Sequence, residues 1–424
     1  MKVIASRSIV LGVAAMGLLI GTTAADGSVR HPAVVSENPV DYTPQVAPTP
    51  AVSYPHVDAI VQSGSTMYAG GLFQRVTHGQ RSYVRNNFFA FDVNTGAVRA
   101  IDTRFDGQVF ALEFFNDSIY AGGQFKTVNG IARRAVVKLN PDGSVDTGFD
   151  ARVGGQVNDM EVRAGRLIIG GSSGKKLMAL NPETGADTGY LNLNVSVPIP
   201  NAWGTVSVYD FAINPAGTKL VATGNFQSVS GQNRVRLFVV NLGATQGTLD
   251  SWYYSSFRKP CATSAPRRIA YLQGVDFSPN GSYFVVTATG QIPRTRAEIG
   301  ETVCDAAARF NMNDDTKPAW INYTGGNSVW SVAVTGAAVY VQGHFQWLDN
   351  PRGVGSEDGG GAARRVGIGA INRNSGLALP WDPRKSGKMG GKSLLATGLG
   401  LWVASDSTFF NGEPRRGIAL APLP

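Results

Sequence analysis

The chain repeats one phrase. A glycine turn at Tyr120-Ala-Gly-Gly-Gln-Phe125 is followed by Asn129-Gly130 and Arg133-Arg134, and versions of it recur about every 50 residues. Tyr68-Ala-Gly-Gly-Leu-Phe73 leads to His78-Gly79 and Arg81, and Val221-Ala-Thr-Gly-Asn-Phe226 leads to Ser230-Gly231 and Arg234. Val341-Gln-Gly-His-Phe345 leads to Asp349-Asn350, and the last copy keeps Asn411-Gly412 and Arg415-Arg416 with Ala404-Ser405 in place of the glycines. Two copies are eroded, at Ile168-Ile-Gly-Gly171 and at Val286-Thr-Ala-Thr-Gly290. Aligned on Gly71, Gly123, Gly171, Gly224, Gly290, Gly343 and Ser405, the chain holds seven units. Such a period demands an array in which each unit buries its apolar face on its neighbours.

The grammar inside a unit decides which array. Two short apolar runs, such as Val109-Phe-Ala-Leu-Glu-Phe114 and Ser118-Ile-Tyr120, flank the tight polar turn Asn116-Asp117. After the glycines come an alternating run, Ala135-Val-Val-Lys-Leu139, a turn at Asn140-Pro-Asp-Gly143 and a fourth short segment near Phe149. No mature stretch of helical length shows 3.6-residue periodicity. The chain therefore reads as all-β, a seven-bladed β-propeller of four-stranded blades. Its units fall at about 57–106, 107–153, 154–203, 204–268, 269–326, 327–387 and 388–424, within a propeller spanning 51–424. The last unit lacks room for a fourth strand, and an open blade would leave unpaired edges. Residues 41–46 are expected to supply that strand and close the ring from the N-terminal side.

The Tyr-Ala-Gly-Gly-x-Phe, Asn-Gly-x-x-Arg and Asn-Pro-Asp-Gly-Ser-x-Asp-x-x-Phe elements, complete between Ile119 and Phe149, resemble the delta-60 repeat of secreted bacterial propeller-like proteins. The resemblance covers most of the mature chain and is strongest in the second unit. It implies a fold and an exported location; the family is defined by its repeat and implies no reaction.

The N-terminus agrees. Lys2 and Arg7 precede an apolar stretch shorter than a spanning helix requires, and Thr22-Thr-Ala-Ala25 supplies small residues for cleavage. Residues 1–25 are read as a signal peptide and 26–50, with Pro39, Pro44, Pro48 and Pro50, as an extended lead-in. The expected location is extracellular, with no integral membrane segment after cleavage, and a monomer is expected. In that compartment the only two cysteines, Cys261 and Cys304, are expected to form a disulfide. Both fall on the propeller face that carries the loops between second and third strands, including the inserts 291–306 and 344–363. Loops on a rigid scaffold are where binding is mounted, so this long-loop face is the place to look for function.

Chemistry is thinly represented. Four histidines, His31, His56, His78 and His344, show no metal-ligand spacing, which disfavours a histidine-held metal or a catalytic triad. Asp142-Gly-Ser-Val-Asp146 imitates half a calcium loop but lacks its remaining ligands, so a turn is the plainer reading; no cofactor is expected, and Ca²⁺ is the one ion the carboxylates invite. The net charge of +8 is spread in arginine pairs that follow the repeat rather than in the stripe of a nucleic-acid binder. Its by-product is attraction to acidic cell-wall polymers. Phe149, Tyr190, Trp252, Trp320 and Trp381 recur near the fourth strand and read as packing between blades. The ligand-binding candidates are His344, Trp347 and Asp349 in the sixth unit, with Tyr209, Trp330 and Asp58 on first strands, where side chains line a central channel. Asp159, Asp210 and Asp276 share those strands, and hydrogen bonding between blades is their simplest role.

Three function classes follow. The first, which the sequence favours, is a non-catalytic secreted propeller that binds a polysaccharide, cell-wall component or protein through the long-loop face. The second is a carbohydrate-active hydrolase or lyase using carboxylates at the channel mouth. The third, a quinone- or metal-dependent oxidoreductase, fits poorly with so few histidines and cysteines.

Overall fold

The computed structural model describes residues 29–424 apart from 201–203, 262–269, 291–297, 314–315, 356 and 388–389. The signal-peptide reading therefore lies outside the described residues, as does part of the 291–306 insert. Nearly all the regular structure is antiparallel β, with one short 3₁₀ helix, Ser255–Arg258, among the described residues. No helix there is long and apolar enough to cross a membrane.

Seven principal sheets of three or four strands follow one another along the chain. Their inner strands are His56–Ser63, Val109–Phe115, Val157–Arg163, Ser207–Ile213, Leu272–Phe277, Val329–Val334 and Ser393–Thr397. Each is hairpinned to a second strand, as Val109–Phe115 is to Ser118–Gly123. A third strand then pairs on the far side, as Val136–Leu139 does. Fourth strands are complete in sheets 4 and 5, at Gly247–Leu249 and Pro318–Tyr323. In sheets 1, 2, 3 and 6 they shrink to single bridges, Phe91 to Val98, Leu139 to Val145, Leu180 to Asp187 and Ile371 to Ala378. Each inner strand packs beside the next, and that of sheet 7 packs beside that of sheet 1. The five recurrent aromatics, Phe149, Tyr190, Trp252, Trp320 and Trp381, are buried between sheets as packing elements.

The repeated glycine pair has two separate causes. Six inner strands carry a β-bulge near their start, after Val57, Val109, Val157, Val208, Leu272 and Val329. A bulge pushes the backbone toward the partner strand. A Cβ on Gly71, Gly123, Gly171, Gly224 or Gly343 would strike the carbonyl of His56, Gln108, Gln156, Ser207 or Ser328, the residue just before the apolar start of its own inner strand. The first glycine of the pair faces the other way. A Cβ on Gly70, Gly122 or Gly170 would meet Val109, Val157 or Val208 on the next sheet. Where the sequence departs from glycine, the backbone departs too. Sheet 7 shows no register shift between its inner and second strands and carries Ser405. In sheet 5 the bulge is displaced, and the residue opposite Leu272 is Ala288; the alignment on Gly290 was two residues too far along.

An arginine clamp ties the outer edge in sheets 1, 2, 4, 6 and 7. Arg85, Arg133, Arg234 and Arg365 donate to the carbonyls of Arg99, Thr147, Asp250 and Leu379, which lie in the fourth-strand segments of their own sheets (3.2, 3.2, 3.1 and 3.2 Å). In sheet 7 the equivalent Arg415 donates to Val40 at 2.8 Å. The N-terminal segment thus occupies the fourth-strand place beside Ile418–Pro422: the Ser36 and Val40 amides donate to the carbonyls of Pro422 and Leu420 (2.8 and 3.0 Å), and the Thr43 hydroxyl to that of Ile418 (3.2 Å). The bonded stretch runs from Ser36 to Val46, whose amide donates to the Arg416 carbonyl at 3.1 Å, so it begins earlier than the expected 41–46 and takes that segment in. Gln45–Val46 also pairs with Arg75–His78, which forms an outer hairpin with Arg81–Val84 in the loop between the second and third strands of sheet 1.

Cys261 and Cys304 form a disulfide across 43 residues, buried in an apolar cluster with Phe257, Ala270 and Val303. Closing a loop of this size stabilises by about 3–4 kcal/mol through the unfolded chain. We expect Cys304→Ala to lower the free energy of urea unfolding by about that amount, and an unchanged midpoint would rule out a stabilising bridge. Gly123→Ala should cost about 2–4 kcal/mol in the same assay, because a carbonyl on the paired strand must move. Gly154→Ala, at a glycine that faces open space and has no positive φ, should cost less; equal losses would reject the bulge argument.

Candidate functional site: the channel mouth

The bulges turn one side chain per inner strand toward the centre. Asp58, Phe110, Asn158, Tyr209, Gln273 and Trp330 occupy the bulges of sheets 1–6, and the pairing of Ser393 with Ala404 puts Lys392 at the matching place in sheet 7. All seven line one cavity of about 780 Å³. The bulges sit where the inner strands begin, beside the glycine turns, so this mouth opens on the face that carries the second-to-third-strand loops.

Of the sequence candidates, Asp58, Tyr209 and Trp330 come together here. Asp58 is buried, and its Oδ2 accepts a 2.6 Å bond from Gln108 Nε2, with His56 Nε2 at 3.4 Å. His56 Nδ1 faces the Tyr54 carbonyl at 3.0 Å, which fixes the ring. Tyr209 lies 6.3 Å from Tyr271, centroid to centroid, and burial pushes its hydroxyl up to about 12. Trp330 directs Nε1 at His344 Nδ1, 3.4 Å away, so His344 stands just behind the mouth.

Trp347 and Asp349 do not join them. Trp347 pairs with Arg364 in an outer hairpin. Asp349 accepts from Asn322 Nδ2 at 2.6 Å and from the Ala378 amide at 3.0 Å, which makes it a brace between sheets 5 and 6. The described part of the 344–363 insert is folded around buried Asn350, which accepts from the Gly359 amide and donates to the Glu357 carbonyl, both at 2.9 Å.

The carboxylates deeper in the channel are already engaged. Asp159 Oδ2 accepts from the Phe211 amide (3.0 Å), Asp210 Oδ2 from the Val275 amide (2.8 Å) and Asp276 Oδ2 from the Val334 amide (2.6 Å). Each carboxylate therefore latches the next sheet, as the sequence suggested. Burial drives the Asp210 carboxyl well above its ordinary value, reinforced by its contact with Asp159, and lifts Asp276 to about 7. Glu161 is paired with Arg163 at 3.2 Å. Among the described residues no group of three or more His, Cys, Asp or Glu is placed to hold a metal ion. Asp142 accepts from the Ser144 amide (2.8 Å) and hydroxyl (2.7 Å), closing a turn rather than a calcium loop.

Phe110, Asn158, Gln273 and Lys392 escaped the sequence reading. The signal was present for Phe110 and Asn158, each one place after the residue opposite the second turn glycine; Gln273 and Lys392 stand in the two units where that glycine is displaced or replaced. Reading it required alignment on the inner strand rather than on chemically suggestive residue types.

The raised Asp276 value gives a signed expectation. A carboxyl whose pKa is higher in the folded chain stabilises the fold at low pH, and that contribution is lost as pH rises through about 7. Asp276→Asn keeps an oxygen for the Val334 amide and removes the titration. The stability of the variant relative to the parent should therefore rise by about 1–2 kcal/mol between pH 5 and pH 8, less than full linkage because the group faces the cavity. His31 and Lys385, whose values burial lowers, act in the opposite sense in both proteins and cancel in the comparison. Parallel pH profiles of melting temperature would reject the assignment.

Comparison with known proteins adds to the fold. Residues 116–149 match the family model described as a domain of unknown function (DUF5122) β-propeller, and they coincide with the most complete copy of the repeated phrase. No curated protein matches the chain. Among solved structures, the computationally designed Ika8 protein aligns at 11% identity over 89% of this chain and 98% of its own, with a TM-score of 0.44. The chain carries a β-propeller repeat.

Proposed function

We propose that this chain is a secreted, non-catalytic β-propeller of seven four-stranded blades, its ring closed by residues 36–46, that binds a polysaccharide at the channel mouth on its long-loop face. The ring is supported by the order of inner-strand contacts, which returns from sheet 7 to sheet 1, and by the Arg415 clamp on Val40. Export rests on the signal-peptide reading of residues 1–25. The protein is taken to act as a monomer and without a cofactor.

One observation carries the binding role. Seven equivalent backbone positions deliver aromatic faces from Phe110, Tyr209 and Trp330 and polar groups from Asp58, Asn158, Gln273 and Lys392 to a single cavity of about 780 Å³. Apolar ring faces interleaved with amide donors and acceptors suit a sugar, whose C–H faces stack on aromatics while its hydroxyls take hydrogen bonds. Hydrolysis or lysis of the glycan is the second reading. The engagement of Asp58, Asp159, Asp210 and Asp276 by neighbouring side chains and amides weighs against it, because a catalytic acid or base must reach the reacting atoms.

A glycan array and a pull-down on cell-wall fractions with the full chain test this. At least one polysaccharide class should retain the parent, and Trp330→Ala should bind it about tenfold or more weakly, as expected for loss of a stacking face worth about 1.4 kcal/mol. No reducing sugar should appear in the bound samples. Failure to retain any glycan or cell-wall fraction would sink the proposal, and sugar release abolished in Asp210→Asn would move the protein to the hydrolases.

A further inference from the structure

We propose that the polysaccharide taken at the channel mouth is acidic, with a sugar carboxylate held by Lys392; this rests on the saccharide reading above. The argument starts from a census of charge around the cavity. Its charged lining residues are Asp58, Asp159, Glu161, Arg163, Asp210, Asp276 and Lys392. Asp58 is bonded to Gln108 and flanked by His56, and Asp159, Asp210 and Asp276 are bonded to backbone amides of the next sheet. Glu161 and Arg163 neutralise each other. Among the described residues, Lys392 is the one charged group of the lining engaged by neither a hydrogen bond nor an ion pair; its contact is with a ring.

Its surroundings keep it available. The Lys392 ammonium lies 5.2 Å from the centre of the Phe110 ring, across the mouth opening, and the side chain is exposed. A cation resting on an aromatic face is held loosely enough to exchange that contact for a carboxylate, which gives a charge-assisted hydrogen bond. A compact ammonium serves as a point charge and imposes no bidentate geometry, which suits carboxylates presented at varied angles along a flexible glycan.

Position completes the argument. Lys392 and Trp330 occupy equivalent places on the adjacent inner strands of sheets 7 and 6. Facing sheets lie about 10 Å apart, so a sugar ring stacked on Trp330 directs its neighbour's exocyclic group toward Lys392. The other five mouth positions carry no cation. The repeat thus places its positive charge once, beside its largest aromatic face, and recognition of charge is coupled to recognition of the ring.

The experiment uses a panel of uronic-acid oligosaccharides, each beside its methyl ester, titrated calorimetrically into the full chain. The two forms share every ring and hydroxyl and differ in charge. At least one acid form should bind about tenfold or more tightly than its ester, and Lys392→Met should erase that preference while the weaker ester binding persists. Lys392→Arg should restore most of the preference, and matching melting temperatures establish that the variants are folded. Esters that bind as well as the acids, or a Lys392→Met protein that still prefers the acids, would overturn the acidic-ligand inference and leave the saccharide reading standing. Absence of binding by every form, acid or ester, together with an empty neutral-glycan array, would remove both.

Discussion

The structure depends on one close approach, between a peptide carbonyl at the start of five of the six bulged inner strands and the glycine that faces it. At His56, Gln108, Gln156, Ser207 and Ser328 the inner strand leans into its partner so far that a methyl group on the facing residue cannot be accommodated. The bulge that causes this lean also rotates the next side chain off the pleat and into the centre. Backbone constraint and binding surface are therefore a single event. Glycine at 71, 123, 171, 224 and 343 permits the lean, and Asp58, Phe110, Asn158, Tyr209 and Trp330 are what the lean presents.

Other contacts hold the sheets once that geometry exists, and they are distributed unevenly. Sheets 1 to 4 meet through valines seated on glycines at 70, 122 and 170. From sheet 4 onward, hydrogen bonds take over at the same place: Thr223 donates to the Gln273 carbonyl at 3.3 Å, and Gln342 to the Ser393 carbonyl at 2.9 Å. The latches from Asp159, Asp210 and Asp276 join sheets 3 to 6. Carboxyls that latch amides in this way are structural members, which is why a channel rich in acidic residues presents so little free negative charge at its mouth.

Much of the fold was legible because strand alternation and the glycine turn are enforced in almost every unit. The site was legible in part. Asp58, Tyr209 and Trp330 could be picked out as polar or aromatic residues on first strands, whereas Phe110 stood inside an apolar run and Lys392 outside every copy of the repeated phrase. A bulge is a property of the pairing between two strands, and neither strand alone announces it. The same reason explains the misplacement of Gly290: its φ of 133° marks a real turn, but one belonging to the loop beyond the strand rather than to the pairing of Ala288 with Leu272. Asp349 misled for a different reason. A carboxylate beside an aromatic and a histidine resembles a binding patch, and only the position of Asn322 reveals it as a brace.

The clamp of Arg415 on Val40 joins residues 375 apart in sequence. Contacts of such separation must be reached through a large loss of chain freedom before they return any stabilisation, so they form late. Sheets built from neighbouring hairpins can assemble early and wait, while the segment 36–43 stays unpaired until Ile418–Pro422 has been made. The last seam to form is thus also the one whose opening would free both ends of the fold together. That seam is held by backbone hydrogen bonds, the Arg415 guanidinium, the Trp381 indole donating to the Ser36 carbonyl, and Val35 buried in one cluster with Tyr340 and Trp381.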